Sequence, residues 1–476
     1  MGLRQVPAGG VDRNILYGEN RNNHKTAMKK MCMLALAAMV SALPLMAKDG
    51  EKAETEAQKA ERMEWFAKAK FGVFIHWGIY AVKGVSESWS FYNSYLPYDE
   101  YMDQCKGFTA KNYDPKAWVK LIEESGARYT VITTKHHDGV ALWDTQIGDI
   151  SVKKSTPAGR DVLTPFVDEV RKTDMHLGLY YSLLDWSRAD YPNDTRKSTR
   201  YSIKDDPQRW DSFCKFNFGQ MEELSRQYKP DLWWFDGDWE QDAATWRSAE
   251  IVKLLRKYSP KCIINSRIAG YGDYATPEQG VPVVRPESKY WELCMTMNDS
   301  WGYQHTDTNY KTPHMLLRTY VDCLSNGGNL LLDIGPREDG TIPQEQVDIL
   351  KEFGRWNKKH AEAVYDTRAG IPAEHFQGYT TLNTAGDILY LYLPYKPNGP
   401  IEIKGLMNKV NRVWVVGNGA MLNYKVFNKN YWNDIPGNLY IDVPDQVLDP
   451  QITVIAVLLD GPCKLYRGEG KVQTSN

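Results

Sequence analysis

No charge of one sign prevails in this sequence. Its 476 residues carry 58 Lys and Arg against 60 Asp and Glu, a formal net charge of −2. That balance offers no basic surface to nucleic acid and no acidic surplus of the kind that keeps a chain solvated and unfolded. Cysteine is sparse and scattered. Cys32 falls within an N-terminal apolar run, while Cys105, Cys214, Cys262, Cys294, Cys323 and Cys463 form no CxxC pair, which excludes a disulfide scaffold and a zinc ribbon. No strand-like run leads into GxGxxG or a Walker loop, and HExxH is absent, so nucleotide-binding and zincin signatures are missing. Repeats and low-complexity tracts are absent apart from a Lys/Glu/Ala stretch at 48–62. Phenylalanine is the scarce aromatic, 13 against 16 Trp and 29 Tyr. Indoles and phenols combine a flat apolar face with a polar edge, which suits sugar rings as well as a protein core.

The longest apolar run, 31–47, follows Lys29-Lys30 and ends where the chain turns polar. Ser41 and Pro44 interrupt it, and it is short for a membrane span. A basic start, an apolar middle and Ala47 before the polar switch describe a secretory signal peptide. Residues 1–47 are therefore expected to be an upstream extension plus signal, with Met28 a candidate start. Residues 48–62 are expected to form a polar linker. Export to the periplasm or the extracellular space follows, with no membrane association after cleavage.

From residue 63 to 365, seven apolar runs alternate with helix-like segments. They are FGVFIHWG (71–78), ARYTVITTKHH (127–137), HLGLYYSLLDW (176–186), DLWWFDG (231–237), CIINSR (262–267), YWELCMTM (290–297) and GNLLLDIGP (328–336). Continuous rather than alternating hydrophobicity suits strands buried on both faces, as in a parallel sheet. Asp114-Pro115 and Thr164-Pro165 look like helix caps followed by Pro at the first helical position. Further helical patterns span 211–228, 244–258, 315–326 and 344–362. Such units predict an α/β fold with a (β/α)8-like catalytic barrel; an open doubly wound sheet is the competitor. From 370 to 476 the pattern changes to short strands between Pro, Gly and Asn turns, which predicts a C-terminal antiparallel β-sandwich.

In a barrel the chemistry belongs at the C-terminal ends of the strands. Asp236, which ends the apolar run DLWWF, is the first candidate for a catalytic carboxylate. Acid/base chemistry needs a second. Glu278, in the loop after Arg267, is on the active face by topology, whereas Glu292 lies near the start of the sixth strand. Topology favours Glu278 and leaves Glu292 open. His136 and His137, adjacent on a strand, should point to opposite sides and so cannot readily share one ion. No catalytic metal and no cofactor is expected, and neutral imidazoles near a Trp-rich mouth are expected to bind hydroxyl groups.

FGVFIHWGIY, YTVITTKHHDGVALWDT, GLYYSLLDW, DLWWFDGDW, TPEQ, WELCMTMNDSWGYQ and GNLLLDIGPREDG resemble, in order, the motifs of the α-L-fucosidases of glycoside hydrolase family 29. The resemblance implies an exo-acting retaining glycosidase acting on terminal α-L-fucose of an oligosaccharide or glycoconjugate. It implies Asp236 as nucleophile and Glu278 as acid/base, with Glu292 of the WE motif also in play. It further implies that His76, His136, His137, Tyr181 and Arg267 surround the sugar. A 6-deoxy sugar also needs an apolar wall for its methyl group, and Trp77, Trp234 and Trp301 are candidates. The family's Glu-Trp pair is here split by Ser88, which makes Trp89 a firmer substrate-binding assignment than Glu87. A glycan-binding protein on the same fold, or a metal-dependent hydrolase using the histidines, are the competing functions.

Overall fold

The structure, a computed structural model, describes residues 54–468 except 430, 431 and 433. The expected extension, signal peptide and Met28 start lie outside the described residues. The stretch expected to be a polar linker is helical from Glu56 onward. Helix α1 (Glu56–Ala69) runs through it and buries Arg62, Met63, Phe66 and Ala69. Its Lys and Glu residues form the wet face of a helix that has an apolar side, which composition alone does not reveal.

Seven parallel strands follow: β1 (Phe71–Ile75), β2 (Tyr129–Lys135), β3 (His176–Ser182), β4 (Leu232–Asp236), β5 (Ile263–Ile264), β6 (Glu292–Thr296) and β7 (Asn329–Ile334). Their order in the sheet is β5-β4-β3-β2-β1-β7-β6. The extended segment 274–278 bridges the two ends, through single parallel bridges Asn265–Tyr274, Ala275–Trp291 and Glu278–Cys294. The ring therefore closes as a (β/α)8-like barrel, and the open sheet is excluded. The eighth place is irregular because Pro277 has no N–H to give a ladder.

Strand parity sorts the core into two layers. Phe74, Val131, Tyr180, Leu232, Trp234, Ile263, Cys294 and Leu331 fill the interior together with Met63, Phe66 and Ala69 of α1. Phe71, Val73, Ile75, Leu177, Leu179, Tyr181, Trp233 and Phe235 belong to the outer layer. Over that layer lie α2 (Pro115–Glu124), α3 (Leu163–Val170), α4 (Pro207–Tyr228), α5 (Ser248–Tyr258), α6 (Pro313–Ser325) and α7 (Gln344–Lys359). Asp114 caps α2 as expected, its Oδ1 accepting from Ala117 N at 3.1 Å. Thr164-Pro165 does not act as the same device. Helix α3 begins earlier, because Asp161 Oδ1 accepts from both Leu163 N and Thr164 N at 2.8 Å.

Eight further strands are β8 (Thr367–Ala369), β9 (Tyr379–Asn383), β10 (Ile388–Leu393), β11 (Ile401–Ile403), β12 (Val410–Val415), β13 (Tyr424–Phe427), β14 (Asn438–Ile441) and β15 (Thr453–Leu459). They form antiparallel sheets ordered β8-β9-β10-β15-β12 and β11-β14-β13. Leu389, Leu391 and Val457 of the first share a buried cluster with Ile403, Leu439 and Ile441 of the second, as a sandwich requires. Helix α7 ties the barrel to it: Trp356 Nε1 donates to Ile452 O at 2.9 Å, and Arg355 and Lys359 pair with Asp449 at 3.0 and 2.7 Å. The six cysteines Cys105, Cys214, Cys262, Cys294, Cys323 and Cys463 are unpaired. Among the described residues no helix is long and apolar enough to cross a membrane.

Candidate active site

Asp236 is the last residue of β4, and parity with Trp234 turns both side chains into the barrel. Gly237 follows at φ +92°, a conformation that favours glycine and lets the chain leave the strand sharply. Asn265 fixes this strand end, its side-chain amide accepting from Phe235 N at 2.9 Å and donating to Phe235 O at 2.8 Å. The Asp236 carboxylate is held on both oxygens: Oδ1 accepts from Arg267 Nη1 at 2.8 Å and Oδ2 from Tyr180 OH at 3.0 Å. The other arm of the same guanidinium, Nη2, donates to Glu278 Oε2 at 2.6 Å. Glu278 stands at the end of the irregular eighth segment, where its bridge to Cys294 brings it to the same mouth as Asp236.

These groups face a cavity of about 200 Å³ lined by Phe74, His76, Trp89, His136, Tyr180, Trp234, Asp236, Trp239, Arg267, Glu278 and Trp301. Eight residues singled out from the sequence thus converge: His76, Trp89, His136, Trp234, Asp236, Arg267, Glu278 and Trp301. Five others do not line it. Trp77 points outward from the end of β1, donates through Nε1 to Arg337 O at 2.8 Å and packs edge-on against Trp118. Tyr181 also faces outward, its hydroxyl lying 3.0 and 2.9 Å from the side-chain oxygens of Asn217 and Gln220 of α4; its neighbour Tyr180 lines the cavity. Glu87 is buried and accepts from Gly302 N at 2.6 Å, so it braces the turn that carries Trp301. His137 is buried beside the cavity, its Nε2 lying 3.6 Å from Asp236 Oδ2. Glu292 is fully buried, accepting from Tyr129 OH at 2.5 Å and from Trp234 Nε1 at 3.0 Å.

The two adjacent histidines differ from the expectation of opposite faces. Strand β2 ends at Lys135, so alternation no longer applies, and the His136 and His137 rings lie 4.2 Å apart. His136 Nδ1 is tied to Ser88 Oγ and His137 Nδ1 to Ser182 Oγ. Burial holds His76 and His136 well below the usual imidazole range and pushes His137 down to about 3. Asp333 Oδ1 sits 2.7 Å from His76 Nδ1. Burial, with Glu87 nearby, raises this carboxyl strongly, and the contact with Asp333 occupies His76 Nδ1 and leaves Nε2 for the cavity. Three neutral imidazoles suit hydroxyl groups. Phe74, Trp239 and Asp333 are not singled out by the sequence, and Tyr180 is preferred to its neighbour Tyr181 only once the register of β3 against β4, Tyr180 beside Trp234, is known.

Burial lifts Glu292 from its ordinary 4.5 to about 7, against the opposing hydrogen bonds from Tyr129 and Trp234 and the charge of Arg267. Between those values the folded chain keeps a proton that the unfolded chain has lost, so this group's contribution to stability falls as pH rises from about 4.5 to 7. Glu292→Gln removes that dependence. The stability of the variant relative to the native protein should be more favourable at pH 8 than at pH 5, by on the order of 3 kcal/mol. Thermal unfolding of both proteins at the two pH values checks this, and a pH-independent difference would contradict it.

Cleaving a glycosidic bond asks for two carboxyl groups facing one ring-sized space that is aromatic on one side and hydrogen-bonding on the other. With a (β/α)8-like barrel beneath, the class is a glycoside hydrolase. Comparison with known proteins narrows it. The family model described as alpha-L-fucosidase matches residues 38–362. Tissue alpha-L-fucosidase of Mus musculus is 30% identical over 373 residues, 71% of this chain and 80% of that protein. Among solved structures, alpha-L-fucosidase isoenzyme 1 from Paenibacillus thiaminolyticus superposes with a TM-score of 0.76 at 32% identity, covering 84% of this chain and 99% of its own. A family 29 alpha-L-fucosidase from Bacteroides thetaiotaomicron, solved as a covalent intermediate trapped with 2-fluoro-fucosyl fluoride, is similar at 25% identity with a TM-score of 0.73, covering 88% of this chain and 100% of its own. The chain belongs to the α-L-fucosidases of glycoside hydrolase family 29.

Proposed function

We propose that this protein is an exported, exo-acting α-L-fucosidase that removes terminal α-L-fucose from fucosylated glycans with retention of configuration. The observation that carries the reading is the Arg267 guanidinium, which spans Asp236 and Glu278 at the wall of a cavity of about 200 Å³. A space of that size suits one deoxyhexose ring and so a chain end. Phe74, Trp89, Trp234 and Trp301 provide an apolar wall for its methyl group, and His76, His136 and Tyr180 provide polar atoms for its hydroxyls.

In the first step an Asp236 oxygen attacks the anomeric carbon as the bond to the leaving oxygen breaks, and Glu278 gives that oxygen its proton. A fucosyl ester on Asp236 results. In the second step Glu278 takes a proton from water, which attacks the same carbon and frees α-L-fucose and the Asp236 carboxylate. Arg267 offsets the charge of Asp236 without entering either bond change. The trapped intermediate of the Bacteroides relative supports a covalent route. Export rests on the apolar run at 31–47 behind Lys29-Lys30.

The deciding experiment incubates the purified protein with 4-nitrophenyl α-L-fucoside, with and without EDTA, and follows the sugar by proton NMR. The expected first product is α-L-fucose, formed at the same rate in chelator. Initial β-L-fucose overturns retention, and loss of activity in EDTA overturns metal independence. Fucose binding without turnover makes the protein a glycan-binding module.

A further inference from the structure

One large side chain at the cavity has no part in the two steps above. Trp239 is 53% exposed, yet the fold fixes it firmly. It is the middle residue of the helical turn Asp238–Glu240, which begins directly after Asp236-Gly237. Asp238 is anchored twice: its Oδ2 accepts from Ala269 N at 2.8 Å and its carbonyl accepts from Trp246 Nε1 at 2.9 Å. Glu240 accepts from Tyr191 OH at 2.6 Å, from Asn193 Nδ2 at 2.9 Å, and from Tyr92 OH and Trp186 Nε1 at 3.3 Å each. A solvent-facing indole on so well-tied a turn is pre-set rather than loose, and pre-set aromatic surface binds at small entropic cost.

The ring is also oriented. Trp239 lies within 18° of parallel to Trp89 with centroids 6.1 Å apart, and stands edge-on to His137. Both indoles line the cavity, but Trp239 carries the larger exposed face. The cavity, at about 200 Å³, accommodates one sugar ring. Whatever is bonded to the anomeric carbon of that ring must therefore lie across the rim. The two carboxylates beside the indole are engaged by protein donors, so what the turn offers outward is a flat, uncharged aromatic face. Such a face matches the C–H side of a neutral pyranose.

We propose that Trp239 is the platform for the leaving-group sugar, stacking on the neutral saccharide ring to which the fucose is attached. The proposal rests on the fucosidase reading given above. The Trp239 contact is made only by substrates that have a second sugar, which makes it a determinant of which glycans are cleaved rather than part of the bond-breaking pair.

The test compares kcat/KM of the native enzyme, W239A and W239F on two substrates. One is α-L-fucosyl fluoride, which has no second sugar. The other is whichever α-1,2-, α-1,3-, α-1,4- or α-1,6-linked fucosyl disaccharide the native enzyme cleaves fastest. W239A should lower the disaccharide value by about ten-fold more than the fluoride value, and W239F, which keeps a flat ring, should recover most of that difference. Equal losses on both substrates, or no loss on the disaccharide, overturn the proposal. A native enzyme that cleaves the fluoride but no disaccharide overturns it as well. A native enzyme that cleaves neither removes the fucosidase reading and the proposal with it.

Discussion

Replacing Asp236 by Gly should lower kcat on an aryl fucoside by about 10⁴-fold or more, the scale of losing a nucleophile that acts in concert with its partners. Of the residues around the cavity, Asp236 alone combines the end of an interior-facing strand with hydrogen bonds on both oxygens, from Arg267 and Tyr180. Those two donors aim the carboxylate and remain when it is removed. The Gly variant thus keeps a cationic and hydrogen-bonding floor under an emptied space. Azide should enter that space and attack the anomeric carbon directly, giving β-L-fucosyl azide, the inverted product, detectable by NMR and mass spectrometry. Recovery of rate with α-L-fucosyl azide would mean that a different residue is the nucleophile. A variant of undiminished activity would remove Asp236 from the mechanism altogether.

The barrel was legible because strands buried on both faces leave unbroken apolar runs, and each of the seven runs contains a strand. Asp236 was legible for the same reason: a carboxylate that ends such a run has to emerge at the mouth. What the runs conceal is which neighbour faces inward. YY in HLGLYYS and HW in FGVFIHWG each place one ring inside and one outside: Tyr180 and His76 line the cavity, whereas Tyr181 and Trp77, both expected there, face outward. The histidine pair differs in the opposite sense, since His136 and His137 are the first and second residues beyond the end of β2, where alternation no longer holds. Trp239 could not be read from the sequence at all. Its importance comes from the closeness of Trp89, some 150 positions earlier, and from the anchoring of Glu240 by residues of two other loops. The closure of the barrel through 274–278 was hidden likewise, because a segment held by single bridges around a proline carries no strand periodicity.

The choice between Glu278 and Glu292 sets two physical signals against each other. Glu292 has the proton affinity of a general acid near neutral pH, since burial lifts it to about 7. Its geometry is unsuited: it is fully buried, hydrogen-bonded to Tyr129 and to the indole of Trp234, and it does not line the cavity. Glu278 lines the cavity, and its side chain is 39% exposed, open both to a departing oxygen and to water. Proton transfer demands hydrogen-bond reach before it demands a matched pKa, so Glu278 should be the acid/base and Glu292 the group that holds Trp234 in place. Glu278→Ala should therefore slow a fucosyl disaccharide by about 10² to 10⁴-fold and an aryl fucoside with a good leaving group far less in kcat/KM, because 4-nitrophenolate departs without a proton. Azide should accelerate turnover of the aryl fucoside by this variant and yield α-L-fucosyl azide, the retained product, since Asp236 remains to form the ester. Glu292→Gln, which keeps the shape of the side chain, should affect disaccharide and aryl fucoside alike. If the leaving-group contrast and the retained azide product belong to the Glu292 variant instead, proton affinity outweighs geometry here and the two assignments exchange places.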